Sequence, residues 1–226
     1  MTSLKTYARI GGVLFLISMF AGFYGEMYAP SKIVVANDAA ATAQNIRASE
    51  SMFRLGFAAY LVEALCDIGL TWVFYVLLKP VHRQLALLAA FFGIVSTATF
   101  AGAELFYLAS ALVLRDVPYL QAFTAEQRNA IALLSMKAYS LGAGVFMVFY
   151  GTAMLIRASL IIRSRYLPAF LGVLLGIGGI GFITRSFLVV LAPAYASNLL
   201  LAPMGLAGLA IMTWFLTKGV DERVLP

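Results

Sequence analysis

Glu63 and Asp67 lie four residues apart in the stretch FRLGFAAYLVEALCDIGL, residues 53–70, which is otherwise mostly apolar. On a helix that spacing puts both carboxylates on one face. A charge at the middle of a bilayer costs at least ~3 kcal/mol, so a carboxyl kept there either carries a proton or ends an ion pair. At about 1.5 Å of rise per residue, Glu63 is expected roughly 8 Å and Asp67 roughly 14 Å below the nearer boundary. Cations for such pairs are scarce. Arg185 in FITRSFLVV lies inside an apolar run, and Arg54 and Lys137 stand at the ends of two others. Glu104 in AGAELFYLAS has a similar depth. Glu63, Asp67 and Glu104 against Arg54, Lys137 and Arg185 predict a charge-balanced polar chamber in the outer half of a helix bundle. Tyr60 and Tyr107, with Tyr24 and Tyr139, either supply hydroxyls to that chamber or form an interfacial aromatic belt. The chamber reads in two ways, as a binding site or proton path and as a closed network that fixes helix register.

Other chemistry finds little support. The chain has no GxSxG, HExxH, GxxxxGK[ST] or CxxC pattern, so no nucleophile, phosphate loop or redox pair announces itself. One cysteine, Cys66, excludes an intrachain disulfide, and one histidine, His82, excludes a multi-histidine metal site. No cofactor and no metal are expected. The net charge of +6 comes mainly from Lys and Arg bracketing apolar runs, a sign of membrane topology rather than of nucleic-acid binding.

The elements that must position these residues follow from composition. The chain is 62% hydrophobic and 12% charged, against about 25% charged for ordinary globular domains. A soluble domain of 226 residues could not bury so much apolar surface. An all-α, polytopic membrane bundle in a single domain is therefore expected. Crossing a bilayer takes about 20 apolar residues, and six stretches qualify: 9–28, 54–78, 84–113, 131–156, 168–191 and 197–217. Lys79-Pro80 closes the second, and Pro168 stands at the first helical position of the fifth. Ser197 caps the sixth, which Pro203 should kink. TAEQ, 124–127, reads as a capping box. NDAAATAQNIRASE predicts a short amphipathic helix, with Ala39, Ala43, Ile46 and Phe53 on one face. Small residues crowd 84–113 and make that span the expected centre of the bundle.

Basic residues fall mostly in the short segments of one side: Lys5, Arg9, Lys79, Arg83, Arg157, Arg163, Arg165, Lys218 and Arg223. By the positive-inside rule these are cytoplasmic, as are both termini.

ARIGGVLFLI, DAAATAQNIRASE, LVEALCDI, YVLLKPVHRQLALLAAFF, RSRYLPAFLGVLL and WFLTKGV run through nearly the whole chain. Together they resemble a bacterial family of multi-pass membrane proteins, domain-of-unknown-function family 4386. The resemblance implies an inner-membrane protein of six or seven helices, and carries Asp67 over as part of the family pattern. It departs at Arg185-Ser186-Phe187, where Asn-Ser-Phe is usual, and near Gly205-Leu206, where an acidic residue is usual. Three functions stand open. The first is a non-enzymatic bundle binding a membrane lipid or small amphiphile, or serving as an accessory subunit of another membrane protein or complex. The second is a small proton-coupled transporter using Glu63 and Asp67. The third is an intramembrane acid–base enzyme. No nucleic-acid partner is expected.

Overall fold

A computed structural model describes residues 3–221; Arg223, counted above among the inner basic residues, lies outside them. Among the described residues the chain is helical throughout its regular structure, with no strand. The helices are α1 (Leu4–Gly22), α2 (Ala29–Ile33), α3 (Ala39–Ala48), α4 (Glu50–Leu112), α5 (Ala125–Arg163), α6 (Ala169–Leu191) and α7 (Ala202–Thr217). A π-helical turn, Phe23–Tyr28, joins α1 to α2 without a break, giving one continuous 30-residue run. Five helical stretches are long and apolar enough to cross a membrane.

The expected second and third spans are the two limbs of α4, which run together across a kink. At about 1.5 Å per residue each limb is long enough to cross a bilayer core. The backbone of α4 leaves helical geometry at His82 (φ −161°, ψ 99°), two residues after Pro80. The His82 Nδ1 accepts the amide of Leu85 at 3.3 Å and so caps the second limb.

Contacts divide the chain into two compact units. The first comprises Met1–Ser18, Leu65–Ala98 and Gly144–Pro226; the second comprises Met19–Ala64 and Thr99–Ala143. Within the first, Gly93 on the second limb of α4 lies against Thr71 on the first limb. Within the second, Phe53 stacks on Tyr107 (4.2 Å between centroids) and Tyr60 meets Phe100 edge-on at 5.1 Å. In each unit, then, the two limbs pack antiparallel.

In the first unit α5 and α6 meet backbone to backbone. A Cβ added at Gly151 would stand 2.7 Å from the Gly179 carbonyl oxygen, and one at Gly179 2.8 Å from that of Gly151. Lipid gives helices no hydrophobic reason to associate, so this closeness supplies the dispersion contacts instead. The small residues of 84–113 serve a narrower purpose than expected. Ala86, Ala89, Gly93, Ser96, Phe100, Ala103 and Tyr107 are buried at intervals of three and four, while Leu87, Phe91, Ile94, Leu105 and Phe106 are exposed. That limb buries one face and does not form a surrounded centre.

Local signals place the ends. The Thr124 amide donates to Gln127 Oε1 at 2.9 Å, and the Gln127 amide to Thr124 Oγ1 at 3.3 Å, which is the expected capping box. Asp38 caps α3 through the Ala41 amide (2.8 Å), and Thr42, Ala43 and Ile46 are its buried face. Pro168 is the residue before α6 and not its first helical one. Pro203 sits in the first turn of α7, after a 3-10 turn at Asn198–Leu201, so it starts that helix and does not kink it.

Candidate functional site

In the first unit the buried charges come in opposite signs. Asp67, half-buried on the first limb of α4, accepts a hydrogen bond from the Ser18 hydroxyl of α1 at 2.9 Å. One turn on, the Thr71 hydroxyl accepts from Arg157 Nη2 of α5 at 3.1 Å. Arg157 is only 2% exposed. Its guanidinium lies 4.7 Å from the Phe74 ring centroid, and Nη1 reaches the Met154 sulfur at 4.0 Å. Each of Asp67 and Arg157 lies in the other's electrostatic field. Gly93 leaves the room: a Cβ there would come 2.8 Å from Arg157 Nη2. A buried cation facing an aromatic ring gains about 2 kcal/mol when desolvated, and the carboxylate across the helix pair offsets more of its burial cost.

The second unit holds carboxylates and phenols instead. Glu104, 2% exposed, accepts a hydrogen bond from the Tyr139 hydroxyl, and the like charge of Glu26 in the π-helical turn acts on it. Tyr107, 1% exposed, donates to the Phe53 carbonyl at 3.2 Å and lies 5.5 Å from Tyr139 between ring centroids. Glu63 faces α1 at Gly22, where an added Cβ would stand 2.5 Å from its Oε1. In this unit Lys32, Arg47, Arg54, Arg115 and Lys137 are exposed and Arg128 is half-buried.

The three cations expected in the chamber sit elsewhere. Arg54 pairs with Glu50 at 2.6 Å on the surface. Lys137 donates to Asn37 Oδ1 at 3.3 Å. Arg185 gives Nε (3.1 Å) and Nη2 (2.9 Å) to Asn198 Oδ1 and reaches the Met147 sulfur at 4.0 Å. The cation whose field reaches Asp67 is Arg157, which the sequence places on a cytoplasmic flank. The mark that would have found it is spacing: Ala153, Met154, Arg157, Ala158, Leu160 and Ile161 form one buried stripe of α5. Glu26 escaped notice because it closes an apolar run, where an acid passes for an interfacial residue.

Two cavities complete the picture. One of about 230 Å³ lies in the second unit, where Arg47, Glu50, Arg54 and Arg115 line it together with apolar residues that include Ile46, Phe53 and Leu108. Another of about 480 Å³ lies in the first unit beside Lys5, Tyr166, Trp214 and Lys218, and its lining includes neither Asp67 nor Arg157. Tyr166 there donates to the Leu77 carbonyl, and burial pushes its phenol up to about 12. Among the described residues no three His, Cys, Asp or Glu side chains come together to hold a metal.

The family model described as domain of unknown function DUF4386 matches residues 10–219. The chain belongs to that family. No curated protein and no solved structure matches it. In this DUF4386 protein, then, the chemistry must be argued from its own side chains. They offer an aspartate and an arginine, each hydrogen-bonded to a hydroxyl, in one unit, and an acid–phenol cluster with an arginine-containing pocket in the other.

Proposed function

We propose that this DUF4386 protein is a non-enzymatic membrane bundle that binds a lipid or similar small amphiphile, in a bacterial inner membrane and with both termini cytoplasmic. One observation carries the reading: the second unit has a pocket of about 230 Å³ with a mainly apolar wall that also includes Arg47, Arg54 and Arg115. That division of chemistry suits a ligand with an apolar body and a polar end. The first unit's charges support it indirectly, since Ser18, Thr71, Phe74 and Met154 already occupy Asp67 and Arg157. An accessory role beside another membrane protein uses the same surface. Native mass spectrometry of the protein in mild detergent tests the reading. A retained lipid-mass adduct, diminished by Leu108→Trp, is the expected result; a bare protein with neither lipid nor partner overturns it.

A second reading, proton-coupled transport, is favoured by Glu104. It is 2% exposed, bonded to Tyr139, and in the field of Glu26. With Asp67 bonded to Ser18 and lying in the field of Arg157, Glu104 takes the relay place first given to Glu63 and Asp67. Proteoliposome flux that survives Glu104→Gln removes this alternative.

A further inference from the structure

We infer that the headgroup this pocket takes is the phosphodiester of an acidic phospholipid, an assignment that rests on the amphiphile-binding reading above. Three guanidiniums reach the cavity from three different segments: Arg47 from α3, Arg54 from the first limb of α4, and Arg115 from the turn after α4. Glu50 is the acid in the lining, so three positive charges face one negative charge and the surplus is two. Glu50 is itself held by Arg54 at 2.6 Å, which leaves Arg47 and Arg115 as the forks open to a ligand. A guanidinium presents paired N–H donors that match two phosphate oxygens, a geometry an ammonium lacks.

The segment carrying Arg115 is tied down. Arg128 Nη1 donates to the Arg115 carbonyl at 3.4 Å, which brings a fourth guanidinium to the same turn. The apolar part of the wall includes Phe53, Leu108 and Leu112. Phe53 is 1% exposed and fixed by its stack on Tyr107, whereas Leu112 is exposed, as are Leu55 and Leu105 on the two limbs. Acyl chains can follow those leucines while the headgroup stays among the arginines. The surplus positive charge disfavours a choline or ethanolamine headgroup, whose own cation would meet like charge. A soluble anion, for its part, would gain nothing from the leucines.

The test uses the full chain with phosphatidylglycerol and phosphatidylcholine offered in equal amounts in mixed micelles, adducts being counted by native mass spectrometry. Phosphatidylglycerol should be retained about tenfold over phosphatidylcholine, as expected for one or two charge-assisted bonds. Arg47→Gln with Arg115→Gln should abolish that preference, and both side chains are exposed, so the fold should tolerate the change. Glu50→Gln, which frees Arg54, should raise the preference. Equal retention of both lipids, lowered for both by Leu108→Trp, overturns the headgroup assignment and leaves amphiphile binding standing. Retention of neither lipid overturns both. Displacement of phosphatidylglycerol by millimolar inorganic phosphate would make the ligand a free anion and overturn the lipid assignment alone.

Discussion

The two units meet the same difficulty, ionisable side chains inside apolar helices, with opposite solutions. In the first, Asp67 and Arg157 are of opposite sign, and each is steadied by a hydroxyl from a third position, Ser18 or Thr71. In the second, Glu104 and Glu26 are of one sign, and the support is a phenol. Cations there stay at exposed or half-buried positions. A balanced pair spends its electrostatics on holding helices together. An unbalanced cluster keeps some in reserve for a proton or a cation, and the exposed arginines do the same for an anion. The difference points to structure in the first unit and to exchange with the surroundings in the second.

The comparison breaks most visibly at Arg157. Arg157→Met should destabilise the protein by about 3–5 kcal/mol, because Asp67 is left in an apolar helix without the cation in whose field it lies, and Thr71 and Phe74 lose their partner. Thermal unfolding in detergent measures it, and Asp67→Asn in the same chain should recover a large part of the loss. If the single change proves harmless, the first unit does not depend on its charge pair.

A smaller effect is expected at Tyr139. Tyr139→Phe removes the hydroxyl that Glu104 accepts, at a cost of about 1.5–3 kcal/mol if the carboxylate is ionised. Glu104→Gln keeps an acceptor and relieves the like charge of Glu26, so its unfolding temperature should stay close to the parent's. A Glu104→Gln loss as large as that of Arg157→Met would erase the contrast between the units.

At the turn between the limbs, His82→Ala should cost about 1 kcal/mol, the usual worth of a helix cap, and His82→Asn should restore most of it. The smallest signal is spectroscopic. Tyr166 holds its proton up to about 12 because it is buried, against about 10 for an ordinary tyrosine. Its contribution to stability is therefore complete below pH ~10 and is lost as pH rises through the folded value. Phenolate absorbance compared with Tyr166→Phe should show one tyrosine titrating late.

Much of this was legible beforehand. Apolar runs of bilayer length gave the helices, and Thr124 with Gln127 starts one of them as local chemistry dictates. Glu63, Asp67, Glu104, Tyr60 and Tyr107 stood out because polar groups are costly in such runs. Their partners did not. A basic residue just past an apolar run looks like a topological flank, and only the rotation of α5 reveals that Arg157 turns inward. The partner of Arg185 was hidden for another reason: Asn198 belongs to a 3-10 turn before α7, where no helical periodicity leads.

The order of synthesis gives Ser18 a further duty. Thr71 and Arg157 are 86 residues apart, and ribosomes add about 5–20 residues per second. Asp67 is therefore translated on the order of ten seconds before Arg157 exists. The Ser18 hydroxyl, already translated, is at hand to occupy the waiting carboxylate until the fifth helix emerges.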